Sequence, residues 1–218
     1  MTHLPAPRRL LVTGFSDFPG VQDNPSAWLA QHAATLPAPQ GWAVRTLVLP
    51  TSYRDLESHL DRALAEWRPH WLLATGVAPR ARQVQVESQA RNYDDCHLRD
   101  ATGDLRQGQI IVPTAPEYLP ASISPQILIE QFRRQRFAAQ LSESAGTYCC
   151  NHLFYHALWH GRQQSLAVNF IHLPPRLSQD RPYGYTDAQF RALAQALLAI
   201  AASLPAALLP ALPMSTGA

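Results

Sequence analysis

Cys150 has the sequence surroundings of a nucleophile. It lies where a small, polar approach, Ala145-Gly146-Thr147, gives way to an apolar segment that predicts a helix. The free N–H groups and the positive dipole end at a helix start favour a thiolate and can also receive an oxyanion, an arrangement that suits acyl transfer. A lone cysteine is more often a small buried side chain than a catalyst, so this chemistry needs supporting residues.

A histidine and a glutamate at predicted strand ends could give that support. His172 follows the apolar run Leu166–Ile171, just before Pro174, and Glu87 ends the alternating segment 83–87. Enzymes with α/β folds carry their chemistry at strand ends. Taken alone, His172 could equally cap a core strand and Glu87 could be a solvated charge. Beside Cys150, a catalytic role for the histidine is favoured, and a carboxylate could orient its ring.

Four stretches of the chain together resemble pyroglutamyl peptidase I, the pyrrolidone-carboxylate cysteine peptidases. These stretches are Thr13-Gly14-Phe15-Ser16-Asp17-Phe18-Pro19-Gly20 through Asn24-Pro25-Ser26, then Glu87 with Ala90 and Asn92, then Gly146-Thr147-Tyr148-Cys149-Cys150-Asn151-His152-Leu153-Phe154-Tyr155, and Phe170-Ile171-His172-Leu173-Pro174. The resemblance runs from about Arg9 to Ala202 in the family's order, and the segment around Cys150 is its most specific part.

The resemblance implies a catalytic triad of Glu87, Cys150 and His172. It implies an exopeptidase that removes N-terminal pyroglutamyl residues through a thioester and needs no cofactor or metal. Its partner would be a peptide with a blocked N-terminus.

The resemblance also implies a substrate pocket. Phe15 and Phe18 match the aromatic positions that flank the pyroglutamyl ring, and Tyr148 matches another aromatic of that pocket. Cys149 occupies a usually aliphatic position, so we expect a pocket wall there rather than a nucleophile. Asp100 matches an acidic position near the site and is the alternative orienting residue if Glu87 is not.

Several positions depart from the family pattern, and they concern recognition. Val77 stands where the family has the glutamine that bonds the lactam, and Ser88 replaces an arginine after the triad glutamate. His97 replaces a second arginine, while Asp17 and Pro19 replace a proline and a glycine and change the backbone shapes open to that loop. Two alternatives therefore stay open, a family member with altered or relaxed specificity and a non-catalytic binding protein of the same fold.

Strand and helix signals alternate along the chain. This pattern predicts a single-domain α/β three-layer sandwich, with a mixed, mostly parallel sheet covered by helices on both faces. The strand signals lie at Arg9–Thr13, Val44–Leu49, Trp71–Ala74 and Leu166–Ile171, and helix-start signals at Asn24-Pro25, Ser124-Pro125 and Thr186 with Gln189. We expect a flexible segment over 1–8, one domain over 9–204, a flexible, proline-broken tail over 205–218, and an irregular loop or hairpin over 94–120 near the site.

Composition limits the function classes. The 218 residues, 46% of them hydrophobic, suffice for one substantial core, and a net charge of +2 without a basic run gives no case for nucleic acid. All basic residues are arginine, which excludes a Schiff-base lysine and the lysine of a phosphate-binding loop. Three cysteines and no signal-peptide pattern predict a cytoplasmic protein, and no segment predicts a membrane span. The oligomeric state stays open, a homo-oligomer included.

A metal site is the competing interpretation of the same segment. Cys149, Cys150, His152 and His156 could be ligands, since two histidines four residues apart share a helix face. However, Leu153 replaces the glutamate of the zinc-peptidase helix motif, and adjacent cysteines seldom coordinate one tetrahedral ion well. We therefore expect no metal.

Overall fold

The computed structural model describes residues 6–18, 20–179 and 182–210. Its strands are β1 (Arg8–Phe15), β2 (Trp42–Leu49), β3 (Trp71–Val77), β4 (Val84–Glu87), β5 (Gln89–Arg91), β6 (Tyr118–Pro120), β7 (Ala139–Ser142) and β8 (Ala167–Leu173). Its helices are α1 (Pro25–Ala33), α2 (Tyr53–Trp67), α3 (Pro125–Arg134), α4 (Cys149–Gln164) and α5 (Asp187–Ser203), followed by a turn of 3-10 helix at Ala206–Leu208.

Six strands form one mixed sheet in the order β2-β1-β3-β8-β4-β7. All neighbouring pairs are parallel except β4 and β8, which run antiparallel with Gln85 opposite His172. Strands β5 and β6 form a separate antiparallel pair. The predicted fold class, a three-layer α/β sandwich with a mostly parallel sheet, is confirmed.

Helices cover both faces of the sheet. Buried side chains of α1, α3 and α5 pack on one face, and those of α2 and α4 pack on the other. The second cluster includes Leu153, Phe154 and Phe170, so the helix that begins at Cys149 is anchored by apolar side chains along its length. None of the helices among the described residues has the length and apolar character that a transmembrane span requires.

Most of the predicted helix starts act as expected. At the start of α1, the side chain of the N-cap residue Asn24, just before Pro25, accepts a hydrogen bond from Ser26 N. At the start of α5, Thr186 and Gln189 form a capping box. Helix α3 does begin at Pro125, but the Ser124 hydroxyl makes no cap bond and instead donates to Gln126 Oε1 at 2.7 Å. The expected Ser124 side-chain cap is therefore not formed, whereas Pro125 does occupy the start of the helix.

The predicted flexible ends differ from the structure where it describes them. Strand β1 begins at Arg8, one residue before the expected boundary. The expected tail from residue 205 does not fit its first part, because Leu209 is only 5% exposed and joins the core. Residues 1–5 and 211–218 lie outside the described residues, and the remaining boundaries stay predictions.

Candidate active site

Helix α4 places Cys150 in its first turn, at the edge of a cavity. Tyr148 is the N-cap residue, and its side chain makes no cap bond, so the N-cap leaves the first-turn amides of α4 without a side-chain acceptor. Cys150 is half-buried and faces Gly76 at the carboxyl end of β3, where a Cβ would lie 2.8 Å from Cys150 Sγ. The free amides beside the sulphur can receive a developing oxyanion.

His172 and Glu87 are paired beside this cysteine. His172 Nδ1 lies 2.7 Å from Glu87 Oε1, and both side chains are buried. The two residues come from adjacent antiparallel strands, β8 and β4, whose register brings their side chains to the same face of the sheet. The glutamate thus fixes the imidazole orientation and leaves Nε2 for the thiol.

The environment of His172 favours its protonated form. Burial disfavours the imidazolium, but hydrogen bonds and charges from Cys150 and Glu87 outweigh burial and raise the pKa of His172 to about 10. His172 can therefore hold a proton at neutral pH beside the sulphur of Cys150. The geometry therefore suits nucleophilic attack on a carbonyl carbon.

The neighbouring thiol, Cys149, has a different environment. Its side chain is 0% exposed, and burial raises its pKa far above the usual range. A protonated, enclosed thiol is a poor nucleophile. Cys149 therefore remains a proposed wall residue of the pocket rather than a proposed nucleophile.

The Asp100 carboxylate binds backbone groups and Thr102 rather than His172. One carboxylate oxygen accepts from Tyr53 N at 2.9 Å, and the other accepts from Thr102 N, Thr102 Oγ1 and Asp104 N. Burial disfavours the charged form, yet these donors lower the pKa of Asp100 below its ordinary value. Of the two acidic candidates, Glu87 is the one that contacts His172.

A cavity of about 520 Å³ opens beside the cysteine and the histidine. Every residue predicted for the substrate pocket lines it, namely Phe15, Phe18, Val77, Tyr148 and Cys149. The rings of Phe18 and Tyr148 lie 5.8 Å apart, and Tyr148 OH donates to Arg99 O. The walls are mainly apolar and aromatic, which suits a compact, neutral ring.

Leu98 and Gln85 are among the lining residues that the sequence reasoning did not assign to the site. Leu98 is 47% exposed at the cavity, although large apolar side chains are usually buried. Gln85 also lines the cavity, from the strand that carries Glu87. A signal for Gln85 was present, since it lies two residues before Glu87 in an alternating segment and so shares its face.

Two of the residues that depart from the family pattern, Asp17 and Val77, have surroundings that the structure describes. Asp17 accepts hydrogen bonds from Asp23 N at 3.1 Å and Asn24 N at 2.8 Å, which closes the loop that carries Phe18. Val77 lines the cavity at the end of β3 without a hydrogen-bonding side chain. Pro19, the second altered residue of that loop, lies outside the described residues.

The four residues of the metal interpretation do not converge. His152 lies 2.7 Å from both Asp94 and Glu57, and Asp94 also accepts from Arg106. These bonds more than offset burial and raise the pKa of His152.

The other histidine of that interpretation also pairs with a carboxylate. His156 Nε2 lies 2.8 Å from Asp61. Within the described residues, the one grouping with donor atoms close enough for an ion is Asp61, His156 and His160, away from the cysteines.

Comparison with known proteins gives close matches over most of the chain. A family model described as pyroglutamyl peptidase matches residues 8–200. The pyrrolidone-carboxylate peptidase of Deinococcus radiodurans is 36% identical over 169 residues, covering 76% of this chain and 77% of that protein.

Solved structures of similar proteins share the fold. The pyrrolidone carboxyl peptidase of Thermus thermophilus has 30% identity and a TM-score of 0.79, over 89% of this chain and 100% of that one. The pyroglutamyl peptidase I of Bacillus amyloliquefaciens, at 23% identity, superposes with a TM-score of 0.81 over 90% of this chain and 96% of that one, which supports the fold alone. The resemblance drawn from the sequence motifs is confirmed, and the chain belongs to the pyroglutamyl peptidase family.

Proposed function

We propose that this protein is a cysteine peptidase that removes N-terminal pyroglutamyl residues from peptides. The observation that carries the proposal is the pairing of His172 Nδ1 with Glu87 Oε1 at 2.7 Å, next to Cys150 and at the wall of an aromatic cavity. Membership of the pyroglutamyl peptidase family supports the same reaction. The substrate is a peptide whose N-terminus is blocked by ring closure.

In the acylation step, Cys150 Sγ attacks the carbonyl carbon that joins the pyroglutamyl residue to the peptide. His172 holds the thiol proton, and the first-turn amides of α4 stabilise the tetrahedral oxyanion. His172 then passes the proton to the departing amine, which leaves a thioester on Cys150.

In the deacylation step, water attacks the thioester with His172 as general base, and pyroglutamate and the free thiol are released. Glu87 keeps the imidazole in register through both steps. Its buried carboxylate also offsets the charge of the imidazolium.

The altered pocket favours a second candidate, a family member with relaxed specificity. Val77 cannot replace the hydrogen bonds of the expected glutamine. In the cavity, the polar side chains near Phe15 are already engaged, because Thr51 donates to Ser16 O and Asn24 bonds Ser16 O and Ser26. Recognition of the ring would then rest mainly on shape and apolar contact.

Free thiols and modest charge support the proposed setting of this reaction. Cys96, Cys149 and Cys150 are all free, which suits the reducing cytoplasm, where we propose that the enzyme works. The net charge of +2 supports a peptide rather than a nucleic acid as partner.

Hydrolysis of a fluorogenic pyroglutamyl coumarylamide tests the proposal directly. We expect turnover by the wild-type protein and none by Cys150→Ala. A wild-type protein that binds pyroglutamyl peptides without cleaving them would instead identify a binding protein of this fold. Cleavage of prolyl and pyroglutamyl coumarylamides at equal rates would support relaxed specificity.

A further inference from the structure

Gln85 is a polar side chain in the cavity that the proposed mechanism does not use. In β4, Val84 and Val86 are fully buried in the core, so the alternation of the strand puts Gln85 and Glu87 together on the opposite face. Glu87 is fully buried there, whereas Gln85 is half-buried and lines the cavity wall. Gln85 is directly opposite His172 in the antiparallel ladder.

The strand order fixes the order in which the cavity residues follow one another across the sheet. Phe15 ends β1, Gly76 of β3 lies beneath Cys150 Sγ, His172 is on β8, and Gln85 is on β4, and these four strands are consecutive in the sheet. Phe15, which belongs to the aromatic part of the cavity, and Gln85 therefore lie on opposite sides of Cys150 and His172.

The reaction assigns a substrate part to each side. The pyroglutamyl ring occupies the side of Phe15 and Phe18, and the scissile carbonyl is at Cys150. His172 must reach the departing nitrogen, so the released part of the peptide continues past His172 toward β4. Gln85 lies where the first residue after the scissile bond would be.

The side chain of Gln85 is also available for a ligand. In the same cavity, Thr51 and Asn24 are bonded within the protein, and Ser144 Oγ accepts from Gly146 N. Among residues 6–18, 20–179 and 182–210, nothing hydrogen-bonds to the Gln85 amide group, which offers two donors and one acceptor.

From this geometry we infer that Gln85 is a specificity residue of a leaving-group subsite, where its amide group binds the main-chain amide that follows the scissile bond. The inference rests on the proposed function. Because a main-chain amide is the same in every peptide, the subsite favours peptides over aryl amides without selecting a sequence. Ser144 and Gly146 line the same cavity.

The test compares two substrates on each protein. Pyroglutamyl-alaninamide has an amide after the scissile bond, whereas pyroglutamyl coumarylamide has none. In Gln85→Leu, which keeps the side-chain volume, we expect kcat/KM for the alaninamide substrate to fall about fivefold and kcat/KM for the coumarylamide to change by less than about twofold. Since the readout is a ratio within one protein, a loss of folded enzyme does not change it.

Gln83→Leu is the matched control. Gln83 is a glutamine next to the same strand, but its side chain donates to Gln140 Oε1 and does not line the cavity. We expect its substrate ratio to equal that of the wild type. An equal fall for both substrates in Gln85→Leu, or no change for either, overturns the inference while the proposed function stands.

Acyl transfer provides an independent measurement. During turnover of the coumarylamide, added alaninamide competes with water for the thioester and yields pyroglutamyl-alaninamide. Gln85→Leu should lower this product relative to pyroglutamate about fivefold, because only the acceptor uses the subsite. An unchanged product ratio contradicts the inference. If the wild type cleaves neither substrate, the proposed function fails first, and the inference fails with it.

Discussion

Gly76 and Cys150 are in contact across the site, so closely that a Cβ on Gly76 would lie 2.8 Å from Cys150 Sγ and 3.0 Å from Phe170 Cζ. Glycine at this position lets the sulphur lie against the sheet beside His172. Any larger residue must displace either the nucleophile or the aromatic ring beneath it.

Gly76→Ala should therefore lower kcat/KM by about 100-fold, since a displacement of the reacting atom by about an ångström has that cost. Gly161→Ala is the matched control, because its Cβ would lie 2.8 Å from Leu166 O, far along α4 from the cysteine. The control should lose thermal stability but keep its kcat/KM per folded molecule. Comparable kinetic losses in both variants would show that general destabilisation, and not the position of the sulphur, is responsible.

The two adjacent cysteines should differ sharply in function. Cys150→Ala should abolish amide hydrolysis, a loss of several orders of magnitude, while Cys149→Ala should retain most of it, because Cys149 is enclosed and protonated. Iodoacetamide should label Cys150 first, which mass spectrometry of the peptides can establish. An inactive Cys149→Ala beside an active Cys150→Ala would reverse the assignment.

The elements that carry Cys150 and His172 could be predicted from the sequence because the sequence signals for them are local. The turn and apolar segment around Cys150, the strand before His172 and the helix caps each lie within a few residues. The antiparallel insertion of β4 between β8 and β7 could not be predicted, because strand pairing depends on contacts distant in sequence. The cavity position of Gln85 depends on that register.

The charged cluster around His152 was missed for the same reason. Its partners Glu57, Asp94 and Arg106 come from α2 and from the irregular loop, so no spacing in the sequence marks them. In the sequence, His152 entered only the competing metal interpretation, and its pairing with Asp94 and Glu57 could not be foreseen.

This cluster predicts a pH-dependent contribution to stability. The pKa of His152 is raised in the folded protein. The contribution of the protonated histidine to folding stability is therefore complete below the ordinary histidine pKa, and it is lost as the pH rises through the pKa of His152 in the folded protein. His152→Gln should lower the free energy of unfolding by about 3 kcal/mol in mildly acidic solution, since it leaves the buried Asp94 without one partner. Urea unfolding of both proteins should give a difference that shrinks with rising pH; a constant difference would contradict the charged pair.

The pH dependence of catalysis should report the His172–Glu87 pair. The alkaline limb of kcat/KM should have an apparent pKa of about 10, because the leaving amine needs the His172 proton. Glu87→Gln removes a charge that raises the pKa of His172. In this variant the alkaline limb of kcat/KM should therefore move to lower pH, and the maximal kcat/KM should fall. Asp100→Asn, whose carboxylate lies among backbone donors, should leave the limb in place. The opposite pattern would make Asp100 the orienting residue.

Val77 is the position at which ring recognition can be tested. The lactam has one N–H donor and one carbonyl acceptor, and contact with Phe15 and Phe18 cannot by itself distinguish it from proline. A buried lactam group left without a partner costs about 1–3 kcal/mol, or roughly five- to 150-fold in binding of the transition state. We therefore expect the wild type to cleave pyroglutamyl amides slowly and to discriminate poorly against similar small cyclic or apolar N-terminal residues.

Val77→Gln should raise kcat/KM on pyroglutamyl coumarylamide by about tenfold, because the new amide can bond the lactam from a residue that already lines the cavity. The measurement is the ratio of kcat/KM for pyroglutamyl and prolyl coumarylamides in both proteins, with Val77→Leu as an apolar control of similar size. Only the glutamine variant should increase the ratio. If the wild type already strongly prefers pyroglutamate and Val77→Gln leaves the ratio unchanged, backbone groups or another side chain must bind the lactam, and Val77 is not a determinant of specificity.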